Sequence, residues 1–257
     1  MRTRNQHTSP WATASLLTAA FTVTLLGCGG HALTTREDAK PVSWAATHGI
    51  AHPLVGRIID TESGADLSFD VLVSTLEAQP YVLIGERHDH PDHHQIQGRI
   101  LRALLAKERR PVAFEMLDED DSGHLSGLSD SQQLSKRVQW NESGWPEFAL
   151  YKPVFDAVIE GRAELVAAHP RRERIRARAM GTSASSQPTT VNEEKTTSHL
   201  PSESLEQLRT DIREAHCGYA SDPMVNAMVE VQVFKDKWMA DRKSTRLNSS
   251  HRCISYA

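Results

Sequence analysis

The stretch Tyr81-Val82-Leu83-Ile84-Gly85-Glu86-Arg87-His88-Asp89-His90-Pro91-Asp92-His93-His94 constrains this chain more than any other. Four apolar, β-prone residues in a row read as a strand buried on both faces. Gly85 ends the run, and an acid and four histidines follow within ten residues. Asp92, with Gln95 three residues later, reads as the N-cap and capping box of a helix. Ile96, Ile100, Leu101, Leu104 and Leu105 give that helix one apolar stripe. Strand, polar loop and amphipathic helix make the front half of a βαβ unit. Ligands of open α/β sheets sit beyond the carboxyl ends of the strands, so this loop is the first candidate site.

The rest of the chain repeats the alternation. Residues 52–60 read as a short first strand, with a turn through Ser63-Gly64. Ser68 then caps a helix running to about residue 78, with Val71, Leu72 and Leu76 inward. Pro111 to Met116 is a second buried strand, carrying Glu115 near its end. Residues 118–135 are acidic, Ser-rich and helical in part; Trp140 and Trp145-Pro146 bracket a loop. Residues 148–159 form a helix with Tyr151, Pro153 and Phe155. Residues 164–168 are a third strand, ending on His169-Pro170-Arg171. The segment 181–204 is rich in Ser, Thr, Pro and Glu, without periodicity, and reads as a mobile insertion. Helices follow from Leu205 to His216 and from Pro223 to Ala240. This order implies an α/β fold, a mostly parallel sheet flanked by helices.

Parallel strands deliver their last residues to one rim. Glu86 and His88, Glu115, and His169 with Arg171 therefore converge there by topology. Two carboxylates and two imidazoles at one rim suit metal binding, proton transfer or a ligand's polar groups. The bland alternative is that both acids serve ion pairs of the fold, with Arg57 or Arg87. His88 to His93 also spells H-x-H-x-D-H, a dizinc hydrolase spacing in which His88, His90 and His93 would be ligands. The flanks disagree: Arg87 precedes it, His94-Gln95 follows it, and no later His-Thr-Pro-Gly-His segment appears.

The ends are unlike the middle. Arg2 and Arg4 precede an apolar run from Trp11 to Leu26, shorter than the ~20 residues of a spanning helix. Leu25-Leu26-Gly27-Cys28 has the form of a lipobox, so residues 1–27 read as a lipoprotein signal peptide, Cys28 as the lipidation site and 28–47 as a tether. Gly29 after that cysteine favours the outer membrane. Residues 241–257 lack an apolar period and look like a translated sequencing adapter. The expectation is that they lie outside the fold, Cys253 included, and that a domain spanning 48–240 lacks its last strand. No disulfide framework is left. A net charge of −4, spread along the chain, speaks against nucleic acid as a partner. The basic run 171–178 reads as a solvated helix face or an anion patch.

Several motifs in order carry a resemblance. They are Gly85-Glu86-x-His88-Asp89 with His93-His94, Phe114-Glu115-Met116, Trp145-Pro146, Tyr151-x-Pro153, Ala167-Ala168-His169-Pro170-Arg171, His216-Cys217-Gly218, and Met228-x-x-x-Gln232-x-x-x-Asp236. Together the chain resembles the ChaN-like haem-binding uptake lipoproteins of the Tiki superfamily. The resemblance implies a surface lipoprotein of haem or iron acquisition, not an enzyme, acting as a homodimer with haem between two copies and an outer-membrane receptor as partner. A tyrosine phenolate can ligate ferric haem, and Tyr151 is the candidate, against the reading of an aromatic packed between helices. His88 or His93 would reach the iron or the propionates, with Glu86, Glu115 and His169 around them, and Arg171 or Lys152 would pair with the propionates. Departures are His169, where the family ends its strand on Asn, and the absence of a Gly-x-Gly-His ending. The rival implied by wider relatives is a metal-dependent hydrolase using His88, Glu86 and Glu115.

Overall fold

The computed structural model describes residues 43–181, 200–247 and 253–256. The leader, Cys28 and most of the insertion expected at 181–204 lie outside them. The described residues belong to one compact unit, Ser43–Ala257. A two-stranded antiparallel ribbon, β1 (Ile58–Ile59) and β2 (Asp66–Leu67), comes first. The strand expected over 52–60 is thus only two residues long, because the rest of that segment has no strand partner. Arg57 and Asp66 pair across the ribbon. Helix α1 (Phe69–Glu77) starts where Ser68 Oγ accepts the Val71 amide at 3.2 Å, the cap read from sequence. Leu72, Val73 and Leu76 pack on the core, whereas Val71, expected inward, is exposed.

The main sheet holds β3 (Tyr81–Ile84), β4 (Val112–Asp118), β5 (Leu165–His169) and β6 (Cys253–Tyr256) in the order β3-β6-β4-β5, all parallel. One face carries Val82, Val112, Phe114, Leu165, Ala167 and Ile254 into the main core. Against it lie α2 (Pro91–Lys107) and α4 (Phe148–Glu160). These two helices approach closely at Gly98, where a Cβ would stand 2.6 Å from the Pro153 carbonyl oxygen. The opposite face carries the smaller Ala113, Val166 and Ala168, packed on Met239 of α7 (Asp222–Leu247).

Two expectations are corrected here. β3 is an edge strand: Val82 is buried, but Tyr81 and Leu83, on the α7 side, are 49% and 72% exposed. An apolar run therefore does not report two-sided burial, because α7 covers β4, β5 and β6. The second correction concerns residues 241–257, which were expected outside the fold. Helix α7 continues to Leu247, and Cys253–Tyr256 pairs in register between β3 and β4. Ile254 there is fully buried in the main core. A short strand between two others is specified by its pairing to both neighbours, which composition does not reveal.

The remaining helices are α3 (Ser131–Arg137), capped by Asp130, then α5 (Arg172–Ala179) and α6 (Ser202–Ala215). The last two pack on α7. Among the described residues no helix is long and apolar enough to cross a membrane.

Candidate functional site

Helix α2 begins two residues earlier than its sequence suggested. Pro91 occupies the first helical position, where a missing N–H costs nothing, and His90 is the N-cap without a side-chain bond. This frees Asp92, which is buried and accepts the Ala45 and Ala46 amides at 2.6 and 2.9 Å. The end of the expected tether is therefore fastened to the domain at the site's edge.

The His-rich motif does not gather around a metal position. His88 Nδ1 lies 2.8 Å from Glu86 Oε1, Asp92 turns to the backbone of 45–46, and His93 Nδ1 accepts the Arg87 amide at 2.9 Å. His90 stacks on His93 with ring centroids 4.3 Å apart. Among the described residues no group of three His, Cys, Asp or Glu is placed to hold a metal ion.

Glu86 is instead the centre of a buried network. Its side chain is fully buried, with His88 on one oxygen and the buried His94 ring 2.9 Å from the other. The His94 contact is at ion-pair distance but outside hydrogen-bond alignment, and Nδ1 of that ring has no hydrogen-bond partner among the described residues. The Glu86 hydrogen bond holds the His88 imidazole above its ordinary value, against the opposing effect of burial. The His88 ring also meets Trp145 edge-on, 4.8 Å between centroids.

Tyr151, the expected phenolate ligand, belongs to this network and has no exposed surface. Its hydroxyl donates to the His88 carbonyl at 3.3 Å and interacts with Glu86, and its ring lies 4.3 Å from that of His94. Burial, then the Glu86 charge, raise its pKa far above that of a free phenol. A buried neutral phenol beside a carboxylate is a buttress, and the hydroxyl expected at the iron is turned inward onto the His88 carbonyl and Glu86. The preference for a packed aromatic wins because α4 turns this face onto α2.

The rim itself forms as topology predicted. Charge on Glu115 acts on His88, Tyr151 and His169, so the ends of β3, β4 and β5 share one field. Lys235 of α7 closes it, with Nζ 2.5 Å from Glu115 Oε1. Burial and then Lys235 lower the pKa of His169; burial and then His90 lower that of His93. Arg171 is engaged with Glu119 and Asp120 at 3.1 and 3.2 Å, and the largely buried Arg174 shares Glu119. The basic run therefore braces the fold beyond β5 rather than presenting a simple solvated face. Lys152 pairs with Asp156.

Two concavities flank the rim. One, of about 300 Å³, is acidic and lined by Asp118, Asp120, Asp121, Glu142, Trp145 and His169. Burial pushes the Asp121 carboxyl up to about 6. The other, of about 510 Å³, is an apolar groove among α5, α6 and α7, lined by Ala179, Ile212, Met224, Ala227, Met228 and Val231. His216, Gln232 and Lys235 are its polar members, so Lys235 belongs to groove and rim alike. Sequence reasoning missed the groove; the four-residue spacing of Met224 and Met228 was its only trace.

The family of haem-binding uptake proteins, Tiki superfamily, ChaN, matches residues 72–254. The chain belongs to this family. Haem is accordingly its ligand class, and the apolar groove with an imidazole and an ammonium in its lining fits an amphipathic, carboxylate-bearing macrocycle. A solved structure described as cofacial haem binding to ChaN of Campylobacter jejuni is 23% identical and covers 78% of each chain with a TM-score of 0.64. That likeness extends to the fold: a parallel sheet between helices. The type III effector HopBA1 is 12% identical over 73% of this chain and 70% of its own, with a TM-score of 0.39, too slight to carry an argument. No curated protein matches the chain.

Proposed function

We propose that this protein is a lipid-anchored haem-binding component of haem or iron uptake, held to the outer membrane through Cys28, and that it seats haem in the α5–α6–α7 groove. The observation carrying the reading is the groove itself: about 510 Å³ of mainly apolar wall, within the size range of small-molecule sites. Its one ammonium, Lys235, stands where a propionate would offset the charge it now shares with Glu115. His88, His93, Glu115 and His169 then set the polarity at the groove's inner end rather than touching iron. The groove is open, and the exposed Met224 and Tyr219 at 49% and 92% border it or its connecting turn. A second copy laid over that face would exclude water from the macrocycle, which supports sharing of haem between two copies. The relative from Campylobacter jejuni is described as binding haem cofacially.

Hemin titration of the full chain, followed by absorbance and by sedimentation, tests this reading. The expected result is a saturable Soret change accompanied by a shift from one copy to two; no spectral change sinks it.

The hydrolase reading has one observation in its favour, the 2.8 Å Glu86–His88 pair near Glu115. Among the described residues no three such side chains are grouped to hold a metal ion, which weighs against it. Zinc-dependent ester cleavage abolished by His88→Ala would revive it.

A further inference from the structure

The segment that follows the tether is apolar and exposed. Residues 49–57 run through successive turns, in which the His52, Val55 and Arg57 amides donate to the Gly49, His52 and Leu54 carbonyls at 2.9, 3.0 and 3.1 Å. The Leu54 amide also donates to His52 Nδ1 at 3.2 Å. These bonds satisfy much of the backbone inside the turn, while the side chains of Ile50, Leu54 and Val55 are all exposed. Single apolar residues on a surface need no explanation, but several on one compact turn form a knob that water solvates poorly.

The charge pattern around this turn is one-sided. No acid falls between Asp38 and Asp60, whereas Lys40, His48, His52 and Arg57 do. Arg57 is paired with Asp66, so the segment is near neutral and carries no carboxylate of its own. The turn is also fastened where the tether arrives. Asp92 holds the Ala45 and Ala46 amides, and the Trp44 ring lies over Gly56, where a Cβ would stand 3.1 Å from it. Residues 29–43 reach at most about 50 Å when fully extended, and a domain of this size has a radius of gyration of about 17 Å. A chain anchored at Cys28 therefore keeps the turn close to the bilayer. A contact too weak to form from solution then forms within one molecule.

We infer that the turn 50–55 is a membrane contact, its aliphatic side chains seated in the interfacial layer of the lipid surface that holds Cys28. This rests on the lipid anchor proposed above and not on the haem reading. Burial of Ile50, Leu54 and Val55 drives the contact, and an anionic leaflet meets no acid of the segment. Trp44, half-buried at the neck of the turn, supplies an indole of the kind that collects at bilayer interfaces. The contact is shallow, about 5–10 Å deep. Helix α2 runs on from the Asp92 clasp for 17 residues, about 25 Å, so Lys107 at its far end lies outside the patch.

The test uses the full chain, produced with its leader in a bacterium that lipidates such cysteines and reconstituted into vesicles of phosphatidylethanolamine and phosphatidylglycerol. In a Cys217→Ser background, a nitroxide is attached at Leu54→Cys or at Lys107→Cys, with the signal of the background chain subtracted. Collision with oxygen, which favours lipid, is compared with collision with a nickel chelate, which stays in water. Far-ultraviolet circular dichroism verifies folding. The Leu54 label is expected to gain oxygen and lose the chelate on reconstitution, while the Lys107 label does neither. Ile50→Asp combined with Val55→Asp should return the Leu54 label to water. A Leu54 label as open to the chelate as the one at Lys107 overturns the contact and leaves the anchor standing. So does a label shielded from both probes and broadened by a second label, since a second copy would then cover the turn. Recovery of the unaltered chain in the soluble fraction, apart from the membranes, sinks the anchor and this contact together.

Discussion

The end of β3 and the groove on α7 make an instructive pair. The first looks like an active site in sequence: Glu86, His88, His94 and Tyr151 are the residues chemistry uses. In three dimensions they face one another, with only the His88 ring part-exposed, and the carboxylate at their centre has no exposed surface. The groove is bland in sequence, made of Ala, Ile, Met and Val, yet it offers volume, an imidazole and an ammonium. Residue type alone identifies groups that can do chemistry. Access decides whether they act on a ligand or hold the fold.

Substitution should separate the two regions by what each breaks. Glu86→Ala strands two imidazoles and a phenol around a buried void, and loss of one member of such a network costs about 3–5 kcal/mol. Denaturant unfolding should register that loss, and a change under ~1 kcal/mol would show the network to be dispensable. Met228→Asp is the converse. It puts a charge in the apolar groove, so hemin affinity should fall roughly 10-fold or more, since an unpaired charge resists desolvation, while the unfolding midpoint stays nearly unchanged. Equal hemin binding by this variant would remove the groove from the account.

Tyr151→Phe sharpens the contrast further. It removes a hydroxyl bonded inside the network, costing about 1 kcal/mol, and should leave the haem spectrum as it is. A lost Soret band would restore Tyr151 to the iron.

The smallest effect is one of pH. Glu86 raises the folded-state pKa of His88 above the ordinary 6.5. A proton held more tightly in the folded state stabilises it below the unfolded value. That contribution is therefore complete below about 6.5 and is lost as pH rises through the folded pKa. It is small, because the ring is 41% exposed and screened by solvent. His88→Asn should flatten the stability profile in that window; a profile that still falls would point to another group.

Much of the architecture was legible. Ser68 capped α1 as its position before an apolar run required, and β4, β5 and α4 fell where apolar period put them. Convergence of Glu86, His88, Glu115 and His169 followed from parallel strands alone. What could not be read depends on partners distant in the chain. Asp92 looked like a helix cap, but its carboxylate goes to amides 46 and 47 residues earlier. Tyr81 and Leu83 looked buried because their strand is apolar, yet exposure depends on how far α7 reaches. The strand at 253–256 buries Ile254 and borrows its definition from both neighbours. The groove has no linear motif at all, since three helices must meet to form it.

The most direct test of the central claim uses the paramagnetism of ferric haem. Amide resonances of the isotopically labelled chain would be followed as hemin is added, since signals nearest the iron broaden first. Broadening centred on Ile212, His216, Met224 and Met228, with Glu86, His94 and Tyr151 less affected, is what the groove predicts. Broadening that begins at Glu86, His88 and Tyr151 and spares the α6–α7 turn would contradict it.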